Sequence, residues 1–151
     1  MANASGSTDR DAPYDLTRFT RAQDQDYADV LAELRGGQKL THWMWFIFPQ
    51  IDGLGNSSTT KYYAIKSIDE ARHYLSHPVL GPRLMECAET VLAIRGRSVS
   101  EIFGYPDDLK LRSSMTLFAC VAGPDSVFDH VLDRYFHGER DGRTLQLLET
   151  W

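Results

Sequence analysis

Residues 107–122, DDLKLRSSMTLFACVA, carry the strongest indication of the protein's architecture. The first two turns of this stretch hold charges and hydroxyls, whereas residues 115–122 are apolar apart from Thr116. Pro106 precedes the stretch and Gly123 follows it, and both residue types are typical of helix boundaries. We therefore predict a helix over Asp107 to Ala122 with a polar beginning and a buried end.

A second apolar segment, HWMWFIFPQ, occupies residues 42–50. Periodicity does not distinguish a buried strand from a short buried helix in a run this apolar. Helical spacing on both sides favours a helix over Trp43 to Phe48, because residues 22–34 and 78–92 each place apolar side chains at intervals of three and four. We further predict that Pro78 occupies the first position of the second of these helices.

The rest of the chain agrees with an all-α fold. Further short helices are predicted over residues 68–75, 127–136 and 141–148, and no alternating segment is long enough to build a sheet. A length of 151 residues, with 42% hydrophobic and 25% charged residues, suits a single globular domain. We expect a compact multihelical domain with two buried central helices over residues 14–151, after a disordered tail at residues 1–13.

Charge and hydropathy exclude several classes of partner. Sixteen basic residues against twenty-one acidic ones give a net charge of −5, which disfavours duplex nucleic acid. The longest apolar run, residues 43–48, is far shorter than the roughly 20 residues of a membrane span, and the amino end lacks the apolar stretch of a secretory signal. A cytoplasmic location follows as an expectation, with Cys87 and Cys120 as reduced core residues.

The first candidate for a binding site is the loop that begins at Gln50. Gly53 and Gly55 would let main-chain N–H groups approach an anion, and Ser57 would add a hydroxyl. The spacing matches neither a P-loop nor a dinucleotide fingerprint. The alternative is that both glycines serve tight turns and a serine caps the next helix.

The second candidate is the polar beginning of the 107–122 helix. Helical spacing places Asp107, Lys110 and Ser114 on one face, with Ser113 beside Lys110. A partly buried face of this kind needs partners or a ligand. The alternative is a capped helix start in which Asp107 and Asp108 favour the helix dipole.

Other catalytic motifs are weak in this sequence. His42 is a candidate proton donor or acceptor at a pocket edge, although a structural histidine is the alternative. His73 and His77 lie four residues apart, but Pro78 separates them from a common helix. We predict no metal site and no cofactor, because zinc and calcium spacings are missing from the sequence.

Four blocks of sequence carry a family resemblance: HWMWFIFPQ at 42–50, GLG followed by Ser57, HPVLGPRL at 77–84 and DDLKLRSSMTLF at 107–118. They resemble domain-of-unknown-function family 1810, small bacterial and fungal proteins sometimes labelled calpastatin-like, from about residue 16 to residue 148. The resemblance implies an all-helical fold in which the two apolar segments form a buried central pair. It implies no established activity, and the calpastatin label, which implies a long disordered inhibitor, conflicts with this globular composition.

The family-typical blocks contain the polar candidates, to which they add His77 and Arg83. Polar residues beside buried aromatics suggest a pocket for a small anionic metabolite, such as a nucleotide or an ADP-ribose-like compound. If the protein is an enzyme, a metal-independent hydrolase would use Asp107 or Asp108 as base, with Lys110 and Arg83 stabilising negative charge.

The alternative function is a noncatalytic adaptor domain for a protein partner that the sequence does not identify. The pocket hypothesis requires residues 42–58 and 107–114 to converge around a solvent-accessible cavity. The adaptor hypothesis gains if those side chains instead satisfy one another with no cavity.

Overall fold

A computed structural model describes residues 14–149 of the protein. Short loops join the nine helices found in this range: α1 (Thr17–Arg35), α2 (Met44–Ile47), α3 (Ser58–Tyr63), α4 (Ile68–Ser76), α5 (Leu80–Ala93), α6 (Val99–Phe103), α7 (Asp107–Ala122), α8 (Val127–Phe136) and α9 (Gly142–Glu149). The predicted tail at residues 1–13 lies outside the described residues. No helix in the described range is long and apolar enough to cross a membrane.

Helix α7 is central to the packing. It contacts α4, α6, α8 and α9, while α5 packs against α1, α4 and α8. Residues 113–119 of α7 are all buried, which explains why this half of the helix has apolar residues on every side. One hydrophobic core results, and the predicted all-α fold is confirmed.

The segment Trp43 to Phe48 is buried as the sequence predicts, and only four of its residues, Met44–Ile47, form helix α2. Trp43, Phe48 and Phe103 pack together with ring centroids 6.2–6.4 Å apart. Trp45 is the half-buried member of the segment and faces away from this cluster toward Lys110, whose Nζ lies 5.4 Å from the Trp45 ring centroid.

Local capping explains several helix boundaries. Ser98 and Glu101 form a reciprocal capping box at the start of α6, and the Ser126 hydroxyl accepts from the main-chain N–H of Asp129 at the start of α8. The prediction for α5 is wrong, because this helix begins at Leu80 and not at Pro78. The His77 ring Nδ1 instead accepts from the Val79 and Leu80 main-chain N–H groups.

The prediction that both cysteines are core residues is correct only for Cys87, which is fully buried. Burial raises the pKa of the Cys87 thiol to about 12. Cys120 lies on the exposed side of α7. Cys120 lies one turn after the buried Thr116, so neither helical periodicity nor the apolar residues around Cys120 indicate that it is exposed.

Glu33, near the end of α1, holds the connection to α2. Its carboxylate accepts from the main-chain N–H groups of Leu40 and Thr41, from the Thr41 hydroxyl and from the Trp43 indole, at 2.6–3.0 Å. Partial burial acts to raise the pKa of Glu33, but these hydrogen bonds outweigh it and lower the pKa from 4.5 to about 2.

We expect Glu33→Gln to destabilise the protein by about 1.5–3 kcal/mol at pH 7, because a charged acceptor of several hydrogen bonds is lost. The folded-state pKa lies below the unfolded value, so the carboxylate's contribution is present above pH 4.5 and is lost as the pH falls toward 2. Urea unfolding of the wild type and Glu33→Gln across this pH range should therefore show the difference between their free energies of unfolding decrease. A difference that does not change with pH would contradict the role given to the Glu33 carboxylate. Glu89→Gln, at an exposed position of α5, is the control.

Candidate functional site

The loop after Gln50 is closed at its base by main-chain hydrogen bonds. Ile65 donates to the Gln50 carbonyl and Asp52 donates to the Ile65 carbonyl, both at 2.8 Å, and Ile51 and Ile65 form an isolated parallel bridge. These bonds hold the loop against the end of α3. Lys66 and Asp52 add an exposed ion pair at 3.6 Å beside the closure.

Both glycines of this loop are required by close packing. Gly53 has φ +106°, and a Cβ atom there would lie 3.1 Å from a methyl group of Leu147 in α9. A Cβ atom at Gly55 would lie 2.8 Å from the Thr60 methyl group. The positive φ of Gly53 agrees with the alternative that it serves a tight turn, whereas packing against Thr60 and not turn chemistry accounts for Gly55, which also lines the cleft described next.

A solvent-accessible cleft of about 210 Å³ lies between this loop and α7. Three segments of the chain contribute its walls, and the lining residues are Gln50, Leu54, Gly55, Thr60, Pro106, Leu109, Lys110, Ser113 and Asp141. The loop and the polar beginning of α7 thus converge as the pocket hypothesis requires. Of the predicted ligand-binding residues, the structure brings Gln50, Gly55, Lys110 and Ser113 to this cleft.

Lys110 is the cationic side chain of the cleft. Its Nζ lies 3.5 Å from Asp107 Oδ1, and the side chain is about one quarter exposed. The other oxygen of Asp107 is 2.8 Å from Nζ of Lys39, which is nearly buried. Two ammonium groups thus share one carboxylate, and this group of three side chains carries a net charge of +1.

Asp141 brings a carboxylate to the cleft. The sequence pattern predicts only that a helix begins at this residue. Asp141 Oδ2 accepts from the main-chain N–H of Thr144, and this bond caps the start of α9. The main-chain N–H of Asp141 donates to the Thr116 hydroxyl at 2.9 Å. Arg112 holds the preceding residues by donating to the Glu139 and Arg140 carbonyls. Arg112 and Thr116, one turn apart on α7, therefore fix Asp141 at the cleft. Thr116 and Asp141 are 25 residues apart, so the sequence near Asp141 does not indicate this contact.

The predicted bases do not line the cleft. Asp108 is buried, and its carboxylate accepts from the Ser100 hydroxyl at 2.9 Å and from the Leu109 main-chain N–H at 2.8 Å. Asp107 is held between its two lysines. His42 is exposed before α2 and is not among the lining residues.

Four predicted ligand-binding residues do not line the cleft: Gly53, described above, and Ser57, Arg83 and Ser114. Arg83 joins α5 to α1 through an ion pair with Asp24 at 2.9 Å and lies over the Tyr27 ring. Ser57 caps α3 by accepting from the Thr60 main-chain N–H at 3.1 Å. Ser114 is fully buried, and its hydroxyl has no hydrogen-bond partner among residues 14–149. Helical spacing alone could not separate Ser114, which faces the core, from Ser113 at the cleft.

Metal coordination has no support in the described part of the chain, where no group of three or more His, Cys, Asp or Glu side chains could hold an ion. The polar residues that line the cleft instead offer an ammonium, a carboxylate, hydroxyls and an amide. This donor set suits hydrogen bonding to an organic ligand.

Fold and cleft together define an all-helical protein with a small polar cleft against its central helix. The chain belongs to the family described as protein of unknown function (DUF1810), whose profile matches residues 13–148. The resemblance in the four sequence blocks is thereby confirmed.

A solved structure with the same fold is the crystal structure of the conserved hypothetical protein Rv1873 from Mycobacterium tuberculosis. It is similar to this chain with 52% sequence identity and a TM-score of 0.89, over 91% of this chain and 98% of that chain. No curated protein matches the chain.

Proposed function

We propose that the protein binds a small anionic metabolite in the cleft between the 50–60 loop and α7. The observation that carries the proposal is the position of Lys110. Its ammonium lines the cleft, and the carboxylate beside it is already held at shorter distance by Lys39. An anionic group on a ligand would pair with the Lys110 ammonium, because the Asp107 carboxylate beside it is already held by Lys39.

The cleft volume limits the ligand. About 210 Å³ is below the roughly 300–1,000 Å³ of pockets that enclose drug-sized molecules. A nucleotide or ADP-ribose-like compound would therefore place one part, such as a phosphate with its sugar, inside the cleft and leave the remainder at the surface. Leu109 in the lining is exposed, as is Tyr105, which precedes the lining residue Pro106 in the chain, and Leu109 offers apolar contact to that remainder.

The presence of a solvent-accessible cleft supports ligand binding over the adaptor alternative. The adaptor hypothesis gains when the polar residues satisfy one another with no cavity, whereas Gln50, Lys110 and Ser113 line an open cleft. The proposal ends at binding and includes no hydrolysis, because Asp107 is held by two lysines and Asp108 is buried with its hydrogen bonds made.

Lys110→Ala is expected to abolish ligand binding while leaving the fold intact. Asp107 keeps its 2.8 Å partner Lys39 in the variant, so no charge is stranded and the melting temperature without ligand should fall by no more than the equivalent of about 1 kcal/mol. The measurement is a thermal-shift series with inorganic phosphate, ribose 5-phosphate, AMP and ADP-ribose. A ligand at 100 times its Kd should stabilise the wild type by about 2.7 kcal/mol.

The matched control is Lys66→Ala, which removes an exposed lysine whose partner Asp52 is also exposed. This variant should respond to ligands as the wild type does, because it alters the net charge equally but lies outside the cleft. The proposal is wrong if no probe stabilises the wild type, or if Lys110→Ala responds as strongly as the wild type. A collapse of the variant's melting temperature without ligand would also contradict it, by showing that Lys110 is a structural ion-pair residue.

A further inference from the structure

The cleft combines a cation with a carboxylate. Lys110 supplies the ammonium from α7, and Asp141 supplies the carboxylate from the loop before α9. A ligand that carries only negative charge would be attracted by the first and repelled by the second. The cleft therefore suits a molecule whose anionic group is accompanied by hydrogen-bond donors.

Asp141 has an acceptor available for such a donor. Its Oδ2 accepts from the main-chain N–H and the hydroxyl of Thr144, whereas Oδ1 has no hydrogen-bond partner among residues 14–149. Thr116 and Arg112 fix the loop that carries Asp141, as described above. The free carboxylate oxygen is thus held in place before a ligand arrives, which lowers the entropy lost on binding.

Neutral polar groups make up the rest of the polar lining. The Gln50 side-chain amide, which can both donate and accept, has no hydrogen-bond partner among the described residues. Thr60 and Ser113 belong to the same lining. The Thr60 hydroxyl accepts from Ser57 at 2.7 Å and can still donate, and the Ser113 hydroxyl donates to the Leu109 carbonyl at 3.3 Å and can still accept. Groups that donate and accept without charge match ligand hydroxyls, which do the same.

The lining also contains apolar side chains. Leu54 comes from the loop, and Pro106 and Leu109 come from the start of α7. A sugar ring presents hydroxyls at its edge and C–H groups on its face, so it can contact both kinds of lining at once. Asp141 Oδ2 already accepts two hydrogen bonds from Thr144, which partly satisfies the carboxylate and reduces its demand for a ligand ammonium.

We propose that the cleft recognises a small sugar carrying one anionic group, a sugar monophosphate or a sugar acid. This inference rests on the proposed function. The anionic group binds Lys110, and sugar hydroxyls donate to the free oxygen of Asp141 and bond with the Gln50 amide. Asp141 is then the residue that selects a hydroxylated anion over an equally charged anion without hydroxyls.

Asp141→Asn tests this selection. Asparagine caps helices about as well as aspartate, so the variant should keep α9 and the fold while losing the charge. Calorimetric titration compares ribose 5-phosphate with butyl phosphate, which has the same anionic group and no hydroxyls. We expect the wild type to prefer ribose 5-phosphate and the variant to lose about tenfold of that preference. Affinity for butyl phosphate should rise in the variant, because a repelling charge is gone.

Opposite changes for the two probes distinguish recognition from a general loss of structure, which would weaken both. Glucuronate, a sugar ring that carries a carboxylate in place of a phosphate, identifies which anionic group is used. Equal binding of ribose 5-phosphate and butyl phosphate by the wild type overturns this inference but leaves the proposed function standing. Tighter binding of glycine than of either sugar anion also overturns it, by indicating a zwitterionic ligand. Failure of every anion, with no difference between wild type and Lys110→Ala, overturns the proposed function itself.

Discussion

Arg18→Ala is expected to destabilise the protein by about 3–5 kcal/mol, because it leaves the Glu70 carboxylate buried without its cation. Arg18 and Glu70 form an ion pair at 2.9 Å with side-chain exposures of 8% and 2%. Arg18 also donates to the carbonyls of Tyr62 and Ala64, at 2.8 and 2.9 Å. The Arg18 guanidinium therefore binds two main-chain carbonyls at the end of α3 as well as the Glu70 carboxylate on α4. All three groups lose this partner together in the variant.

The matched control is Arg35→Ala on the same helix. Arg35 pairs with Glu86 at 3.7 Å, and its side chain is 63% exposed, so its loss should change the free energy of unfolding by less than about 1 kcal/mol. Chemical denaturation of the two variants measures the difference directly. An Arg18→Ala variant within about 1 kcal/mol of the wild type would show that the buried pair contributes little to the fold.

The double variant Arg18→Met with Glu70→Leu separates a stranded charge from lost packing. Replacing both charges removes the uncompensated carboxylate, so the double variant should be more stable than Arg18→Ala. Recovery should be incomplete, because the Tyr62 and Ala64 carbonyls and the Lys66 main-chain N–H each lose a partner. Equal instability of the double and single variants would show that these main-chain groups, and not the charge, dominate the effect.

The helices could be predicted from the sequence where their signals are local. Helical spacing predicts α8 at Val127–Phe136, and the boundary residues Pro106 and Gly123 predict α7 at Asp107–Ala122. The prediction that α5 begins at Pro78 is wrong, because the His77 ring accepts from the Val79 and Leu80 main-chain N–H groups and the helix begins at Leu80. Local chemistry therefore identifies helices well, but it does not reveal a side chain that caps a helix from before the expected first residue.

Long-range contacts could not be predicted from the sequence. Arg18 and Glu70 lie 52 positions apart, and nothing near either residue indicates the other. Close packing between consecutive helices has no local signal either: a Cβ atom at Gly81 would lie 2.1 Å from the Leu75 carbonyl oxygen. The need for glycine at this position comes from the approach of α5 to the end of α4, which only the folded chain reveals.

Only the part of the candidate site that has local sequence signals could be predicted. Lys110 and Ser113 were found because both lie on one face of a helix with clear local signals, and Gln50 was found because it begins an irregular loop. Asp141 comes to the cleft through contacts with another helix, so its site role has no local signal. Arg83 was assigned by family-typical sequence alone, and its ion pair with Asp24 places it between α1 and α5 instead.

Leu117→Ala is expected to destabilise the protein by about 2–5 kcal/mol, because it opens a cavity beside the central helix. Leu117 lies in the fully buried half of α7, which packs against four other helices. The loss combines the transfer free energy of the removed methyl and methylene groups with the cost of a cavity that the surrounding helices fill only partly. The free energy of unfolding from urea titration, with an unchanged helical circular dichroism spectrum, measures the effect.

Leu109→Ala on the same helix is the matched control. Leu109 is 48% exposed at the polar beginning of α7, whereas Leu117 is 0% exposed, so the same chemical change removes very different buried areas. Leu109→Ala should cost less than about 1 kcal/mol, because a half-exposed leucine leaves no enclosed cavity. Similar losses from both variants would contradict the placement of α7, since they would mean that its two halves are equally buried. The contrast between the two leucines thus tests the change from polar to apolar residues in 107–122 on which the architecture depends.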